Sequence, residues 1–167
     1  MLHSTTLLLL LTPSVISAES ISGPAVVIDG DTIELHGSRI RLYGIDAPET
    51  AQTCENANGR AYPCGRAAAH ALAGQIGTNP ITCEPVKAPK GKRVVAVCRV
   101  GHEDLSGWMA AHGHAIAERR GSPTYLRQES KAWATRRGLW AGTFVEPTDW
   151  RRANRRAEAT ANPPGND

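Results

Sequence analysis

Aromatic residues are scarce: one Phe, three Tyr and four Trp make up 5% of 167 residues. A core of stacked rings is therefore excluded. The interior must come from Val, Ile, Leu and Ala, and a hydrophobic content of 41% is enough for one globular domain. No apolar run reaches the roughly 18 residues of a membrane-spanning helix; the longest unbroken leucine run is Leu7 to Leu11. Strong net charge is lacking too. Nineteen basic against sixteen acidic side chains leave +3, too little by itself to declare a polyanionic partner. Closely paired cysteines are also missing. Cys54, Cys64, Cys83 and Cys98 lack the spacing of about two to four residues that thiolate zinc sites use, so a structural zinc is excluded.

What is present begins with the N-terminus. Residues 1–18 contain no Lys, Arg, Asp or Glu, and the five leucines are followed by Thr12-Pro13 and a small-residue stretch ending Ser17-Ala18. This pattern predicts a secretory signal, with only His3 in place of the usual basic start. The expected organisation is a signal peptide over 1–18, one domain over 19–150, and a polar tail over 151–167 that frays. Behind a signal, four cysteines suggest two disulfides, for a secreted or periplasmic protein. Of the three pairings, the two local ones, Cys54–Cys64 and Cys83–Cys98, are preferred.

Along the chain, Thr32-Ile33-Glu34-Leu35 and Arg39 to Leu42 alternate with a period of two around a His36-Gly37-Ser38 turn, which predicts a hairpin. Arg66 to Ile76 is alanine-rich and helical. Ile81 to Pro85 and Arg93 to Val100 are predicted strands, the second with Val94, Ala96, Cys98 and Val100 on one face. Asp104 is expected to cap a helix that carries Leu105, Trp108, Met109 and His112, and Ser122-Pro123 to open another with Leu126, Ser130 and Trp133 on one face. Trp108 and Trp133 are expected in the core. Strands, a helix, more strands and two helices read as α+β, and short turn-separated strands fit a small closed barrel.

The chemistry gathers at the hairpin. Val27-Ile28-Asp29-Gly30-Asp31-Thr32-Ile33 opens it and Ile40-Arg41-Leu42-Tyr43-Gly44-Ile45-Asp46-Ala47-Pro48-Glu49-Thr50 closes it. Asp29 and Asp31 point the same way if the backbone stays extended, or are re-aimed if Gly30 makes a bulge. Asp46 can meet Asp31 across the strand pair. Clustered hard oxygen ligands suit Ca²⁺ or Mg²⁺.

These segments carry a resemblance. Asp-Gly-Asp-Thr followed by Ile-Arg-Leu-x-Gly-Ile-Asp-Ala-Pro-Glu, with Val94-Val95-Ala96-Val97-Cys98 and Arg137-Gly138-Leu139-Trp140, resembles the staphylococcal nuclease (thermonuclease) family over roughly residues 24–145. The resemblance implies an OB-fold, a five-stranded β-barrel with about three α-helices. It implies a Ca²⁺-dependent nuclease acting on DNA or RNA as a monomer. It further implies Asp31 and Asp46 as calcium carboxylates, the Ala47 carbonyl as another ligand and Asp29 as an outer carboxylate. Arg41 would clamp the phosphate and Glu49 would be the general base.

A second phosphate-binding arginine is implied near the start of a later strand. The family usually reads Asp-Arg-Tyr-Gly-Arg there, whereas this chain reads Pro89-Lys90-Gly91-Lys92-Arg93. Aligning the glycines selects Lys92 and aligning the strand selects Arg93. The strand is the firmer guide, because a one-residue slip turns every side chain over. Glu118 and Gly121 stand where the family has tyrosines flanking the nucleotide, so Arg119 and Arg120 are the expected nucleic-acid contacts in that loop. Two other classes compete with the nuclease: a catalytically weak nucleic-acid-binding OB module, and a secreted OB domain for oligosaccharide or protein.

Overall fold

The computed structural model of the protein describes residues 19–86, 94–119 and 124–161. The expected signal segment, Lys92, Arg93, Arg120, Gly121 and the Ser122-Pro123 helix start lie outside the described residues.

β1 (Ile21–Gly23) and β2 (Ala25–Val27) are separated only by Pro24, which interrupts the ladder because it has no N–H to donate. β3 (Thr32–Leu35) and β4 (Ser38–Leu42) form the expected hairpin. Its turn residues His36 and Gly37 both have positive φ (50° and 74°), the left-handed backbone that matches strand twist in two-residue hairpins. Then follow β5 (Ile45–Asp46), β6 (Cys54–Glu55), β7 (Ala61–Tyr62), α1 (Cys64–Ile76), β8 (Ile81–Pro85), β9 (Val94–Val100) and β10 (Glu103–Asp104). After these come α2 (Leu105–Ala111), β11 (Ile116–Ala117), α3 (Leu126–Ala134), a 3₁₀ turn (Gly138–Ala141) and α4 (Pro147–Ala161).

The main sheet runs β1-β8-β9-β4-β3-β2. Its two ends, β1 and β2, are one bent stretch of chain, so the sheet curls round on itself and closes into a five-stranded barrel of the OB type. All neighbours on this path are antiparallel except β4 and β9. The period-two pattern explains the filling. Ile33, Leu35, Ile40, Leu42, Ala96 and Cys98 point inward, and Leu72 and Ile76 of α1 and Leu105 and Met109 of α2 plug the barrel. Asp104 accepts from Gly107 N at 3.0 Å, capping α2 as its sequence requires.

Both local disulfides form, Cys54–Cys64 and Cys83–Cys98. The second joins residues directly opposed across β8 and β9. Each closes a short loop, worth about 3 kcal/mol in the chain-entropy model. No helix among the described residues is long and apolar enough to cross a membrane.

The described residues hold four α-helices beside the barrel, consistent with the expected α+β OB-fold. Two expectations are corrected. The stretch 151–161, expected to fray, is the body of α4, held to the barrel by ion pairs of Arg151 rather than by apolar burial. Trp133 is 66% exposed, because the inner face of α3 is Glu129 and Ala132. Glu129 is kept inside by the Ala117 N–H (3.0 Å) and by Arg119 (3.1 Å), and that rotates the tryptophan outward. Trp108 packs against the core as expected and stacks on His112.

Candidate active site

Asp29, Gly30 and Asp31 form a turn between β2 and β3, not extended strand. The N–H groups of Ile28 and Asp29 both donate to the Thr32 carbonyl, and Asp29 Oδ1 accepts the Asp31 N–H at 3.0 Å. A Cβ on Gly30 would meet the Cβ atoms of Ala47 and Ala68 at 2.7 and 2.8 Å. Glycine there lets the turn press against the β5 exit. Asp31 Oδ2 then accepts the Ala47 N–H at 3.1 Å, and Oδ1 accepts the Thr32 hydroxyl at 2.9 Å.

Arg41 lies opposite Thr32 in the hairpin. Its Nη2 is 3.1 Å from Asp31 Oδ2 and 3.0 Å from Asp46 Oδ1, so both carboxylates converge on one guanidinium nitrogen. Asp46 is fixed by the pairing of β5 with β11, where it opposes Ile116. That pairing also brings Glu118 within 3.6 Å of Arg41.

Glu49 follows on a turn locked by Gln52, which is fully buried. Gln52 Oε1 accepts the Glu49 N–H at 3.3 Å, and its Nε2 donates to the Val145 carbonyl at 2.7 Å. Gly65, at the start of α1, lies so close to the Glu49 carbonyl that any Cβ would collide with it.

α4 supplies what sequence reasoning missed. Arg151 bonds both oxygens of Asp46, Nη1 to Oδ1 at 3.0 Å and Nη2 to Oδ2 at 2.9 Å, the bidentate geometry of a strong charge-assisted pair. The same Nη1 reaches Glu49 Oε1 at 2.6 Å. The Thr148 hydroxyl donates to Asp46 Oδ2 at 2.9 Å. The available signal was Pro147 at a helix start with Asp149 in the first turn.

The two central carboxylates are driven in opposite directions. Burial pushes Asp31 up to about 6, against the opposing pull of Arg41 and the Ala47 N–H. Burial also works against charge on Asp46, yet Arg151, Thr148 and Arg41 together hold its carboxyl below the usual range. Asp31, Asp46 and Ala47 are buried, while Arg41, Glu49 and Arg151 are partly open to a cavity of about 540 Å³. Asp29, Arg39 and Arg155 line it as well. Arg119 does not: its guanidinium is tied to Glu129 and to the Ala117 carbonyl, each at 3.1 Å.

Residues 39–142 match the family described as "Staphylococcal nuclease homologue". The chain belongs to the staphylococcal nuclease family. Among this homologue's relatives is the succinoglycan biosynthesis protein ExoI of Rhizobium meliloti (strain 1021), 35% identical over 135 residues, covering 79% of this chain and 71% of that protein. Two probable staphylococcal-like nucleases of Oryza sativa subsp. japonica also match. CAN3 is 33% identical over 128 residues, 74% of this chain and 31% of that protein; CAN4 is 30% identical over 145 residues, 85% and 27%. The chain thus spans less than a third of the rice proteins. The family stretch contains Arg41, Asp46, Ala47 and Glu49. Asp29 and Asp31 precede it, and Thr148 and Arg151 follow it, so this homologue builds its site from both sides of the matched segment.

Could these residues hold a divalent cation? No group of three His, Cys, Asp or Glu that could do so exists among the described residues. Two buried carboxylates that converge on one point do, and the charge of Asp31 is undercompensated. Hard oxygen donors of this kind are the chemistry that Ca²⁺ or Mg²⁺ takes.

Proposed function

We propose that the chain is a secreted, Ca²⁺-dependent nuclease that hydrolyses phosphodiester bonds of DNA or RNA as a monomer. The observation that carries this reading is the convergence of Asp31 and Asp46 on Arg41, with Glu49 in the same cavity. Asp31, Asp46 and the Ala47 carbonyl are the cation's ligands, and Asp29 supports Asp31 through its backbone N–H. Bound Ca²⁺ would supply charge stabilisation on a phosphate oxygen and lower the pKa of water. Arg41 holds the non-bridging oxygens on which charge builds, and Glu49 takes the proton of the attacking water. The two disulfides support an oxidising compartment, secreted or periplasmic.

Arg151 already occupies oxygens of Asp46 and Glu49, and this favours a second reading, a module that binds nucleic acid and cleaves weakly. Incubation with plasmid DNA and total RNA, first in Ca²⁺ and then in chelator, separates the two. Chelator-sensitive cleavage supports the nuclease; binding without cleavage supports the module.

Arg93 is the second phosphate arginine in this scheme. Arg93→Ala should lower kcat by about 10²–10³, as for loss of a transition-state donor. Lys92→Ala should mainly weaken salt-sensitive affinity. The reverse ranking would move the role to Lys92.

Glu118, where the family has an aromatic, lies 3.6 Å from Arg41. An aromatic platform is worth about 1–3 kcal/mol per base. Glu118→Tyr should therefore tighten a nucleoside bisphosphate several-fold in Ca²⁺, with turnover nearly unchanged. Titration calorimetry decides, and unaltered affinity would remove Glu118 from the nucleotide's surroundings.

A further inference from the structure

α4 lies beyond residues 39–142, the stretch matched to the family, yet it forms one wall of the cavity. Arg151 and Arg155 are one turn apart and both line it. Arg39, two residues before Arg41 on β4 and so on the same face of the strand, lines it too. The ion pairs at the site engage Arg41 and Arg151, and Arg152 is paired with Asp149. Arg39 and Arg155 are exposed, and among the described residues no carboxylate pairs with either.

We propose that Arg39 and Arg155 form a second phosphate subsite, which holds a phosphate flanking the scissile one on the same polynucleotide strand. The proposal rests on the nuclease reading and names its substrate class: a polymer with several phosphates rather than a single phosphodiester. Two observations place the subsite. Arg39 and Arg41 are about 7 Å apart along the strand, comparable with successive phosphates of one nucleic-acid strand. And the bidentate Arg151–Asp46 pair anchors α4, so Arg155 is held in register with the reacting centre. The carboxylates between these arginines are already engaged by Arg41 and Arg151, which leaves the unpaired pair at the mouth for an incoming anion.

The test uses the full chain and Arg39→Gln, Arg155→Gln and the double variant, each change sitting at an exposed position. Binding of a labelled single-stranded oligonucleotide is measured by anisotropy in chelator across a salt series. Cleavage in Ca²⁺ is measured on that oligonucleotide and on a dinucleoside monophosphate. Each lost phosphate contact should flatten the slope of log K against log salt by about 0.7. The double variant should therefore lose about 1.4 in slope, and its oligonucleotide KM should rise about tenfold or more. Its dinucleotide kinetics should match wild type. An unchanged slope and KM in the double variant would overturn the subsite and leave a merely solvated arginine pair, as would equal losses on both substrates. If wild type cleaves neither substrate, the nuclease reading fails, and the salt slope in chelator still decides the subsite.

Discussion

Asp31→Asn should yield a protein that is more stable than wild type at pH 7.5 without calcium, and inactive. Asp31 is 4% exposed and its carboxyl is pushed up to about 6, above an ordinary value of 3.8, by burial that Arg41 and the Ala47 N–H only partly offset. A raised carboxylate pKa means that the folded state keeps a proton the unfolded chain has released. The Asp31 contribution to wild-type stability therefore falls as pH rises through the window from 3.8 to about 6, and the full penalty remains above it. At 1.36 kcal/mol per unit the penalty is at most about 3 kcal/mol, which in a domain of this size shifts Tm by roughly 5–10 °C. Asparagine removes that penalty and keeps an acceptor for Thr32 or the Ala47 N–H. Thermal melts in chelator at pH 4 and pH 7.5 check this: the variant's advantage should be large at the higher pH and small at the lower. A variant that melts lower at pH 7.5 would show that the Arg41 pair outweighs burial.

In the proposed assignment the same substitution removes a cation ligand, so activity should fall by at least about 10²–10³. Wild-type calcium affinity should weaken by up to about tenfold per unit below pH 6, because the ligand must first ionise. Calorimetric titration reads this directly, and a pH-independent affinity would exclude Asp31 from the calcium shell.

The hairpin was legible because its residues alternate without exception: Ile33, Leu35, Ile40 and Leu42 are all buried, and the residues between them are not. The two local disulfides were legible for a similar reason, since each joins cysteines only 10 or 15 positions apart, whereas at Asp29-Gly30-Asp31 the sequence left extended strand and bulge open. Closure of the barrel was legible only as a class. That β1 and β2 are opposite ends of one sheet depends on pairings with β8 and β3 that no local pattern states. The other half of the site was illegible. Periodicity reads repeated apolar burial, and α4 has no such repeat: Pro147 is its one buried residue. It is held by Arg151 and Thr148 on Asp46 and Glu49, about a hundred positions earlier in the chain, and an ion pair at that separation leaves no trace in sequence spacing. Gln52 was passed over likewise. Polar side chains are mostly exposed, but its amide is fully buried because the Val145 carbonyl and the Glu49 N–H satisfy it.

Glu49→Gln should lower kcat by about 10²–10⁴, the range for removal of a general base, and leave KM nearly unchanged. Gln keeps the shape and the acceptor that Arg151 Nη1 uses, so the turn fixed by Gln52 and Gly65 has no reason to move. Stability should change little, because Glu49 stays partly exposed and ion pairs in such positions are worth roughly 0–1 kcal/mol. The complication is Arg151, which sits on the Glu49 oxygen that the proposed mechanism uses as base. That oxygen is engaged by the guanidinium, so in the proposed mechanism Arg151 has to release it as substrate binds. The phosphate itself supplies the competing anion. If that is how the site is released, Arg151→Gln should change kcat in the wild-type background and leave it nearly unchanged in Glu49→Gln. In the double variant the two losses should fall well short of adding, because both changes act on one carboxylate. Should Glu49→Gln instead raise KM tenfold with kcat intact, Glu49 would be a binding residue. The proton of the attacking water would then have to leave by another route.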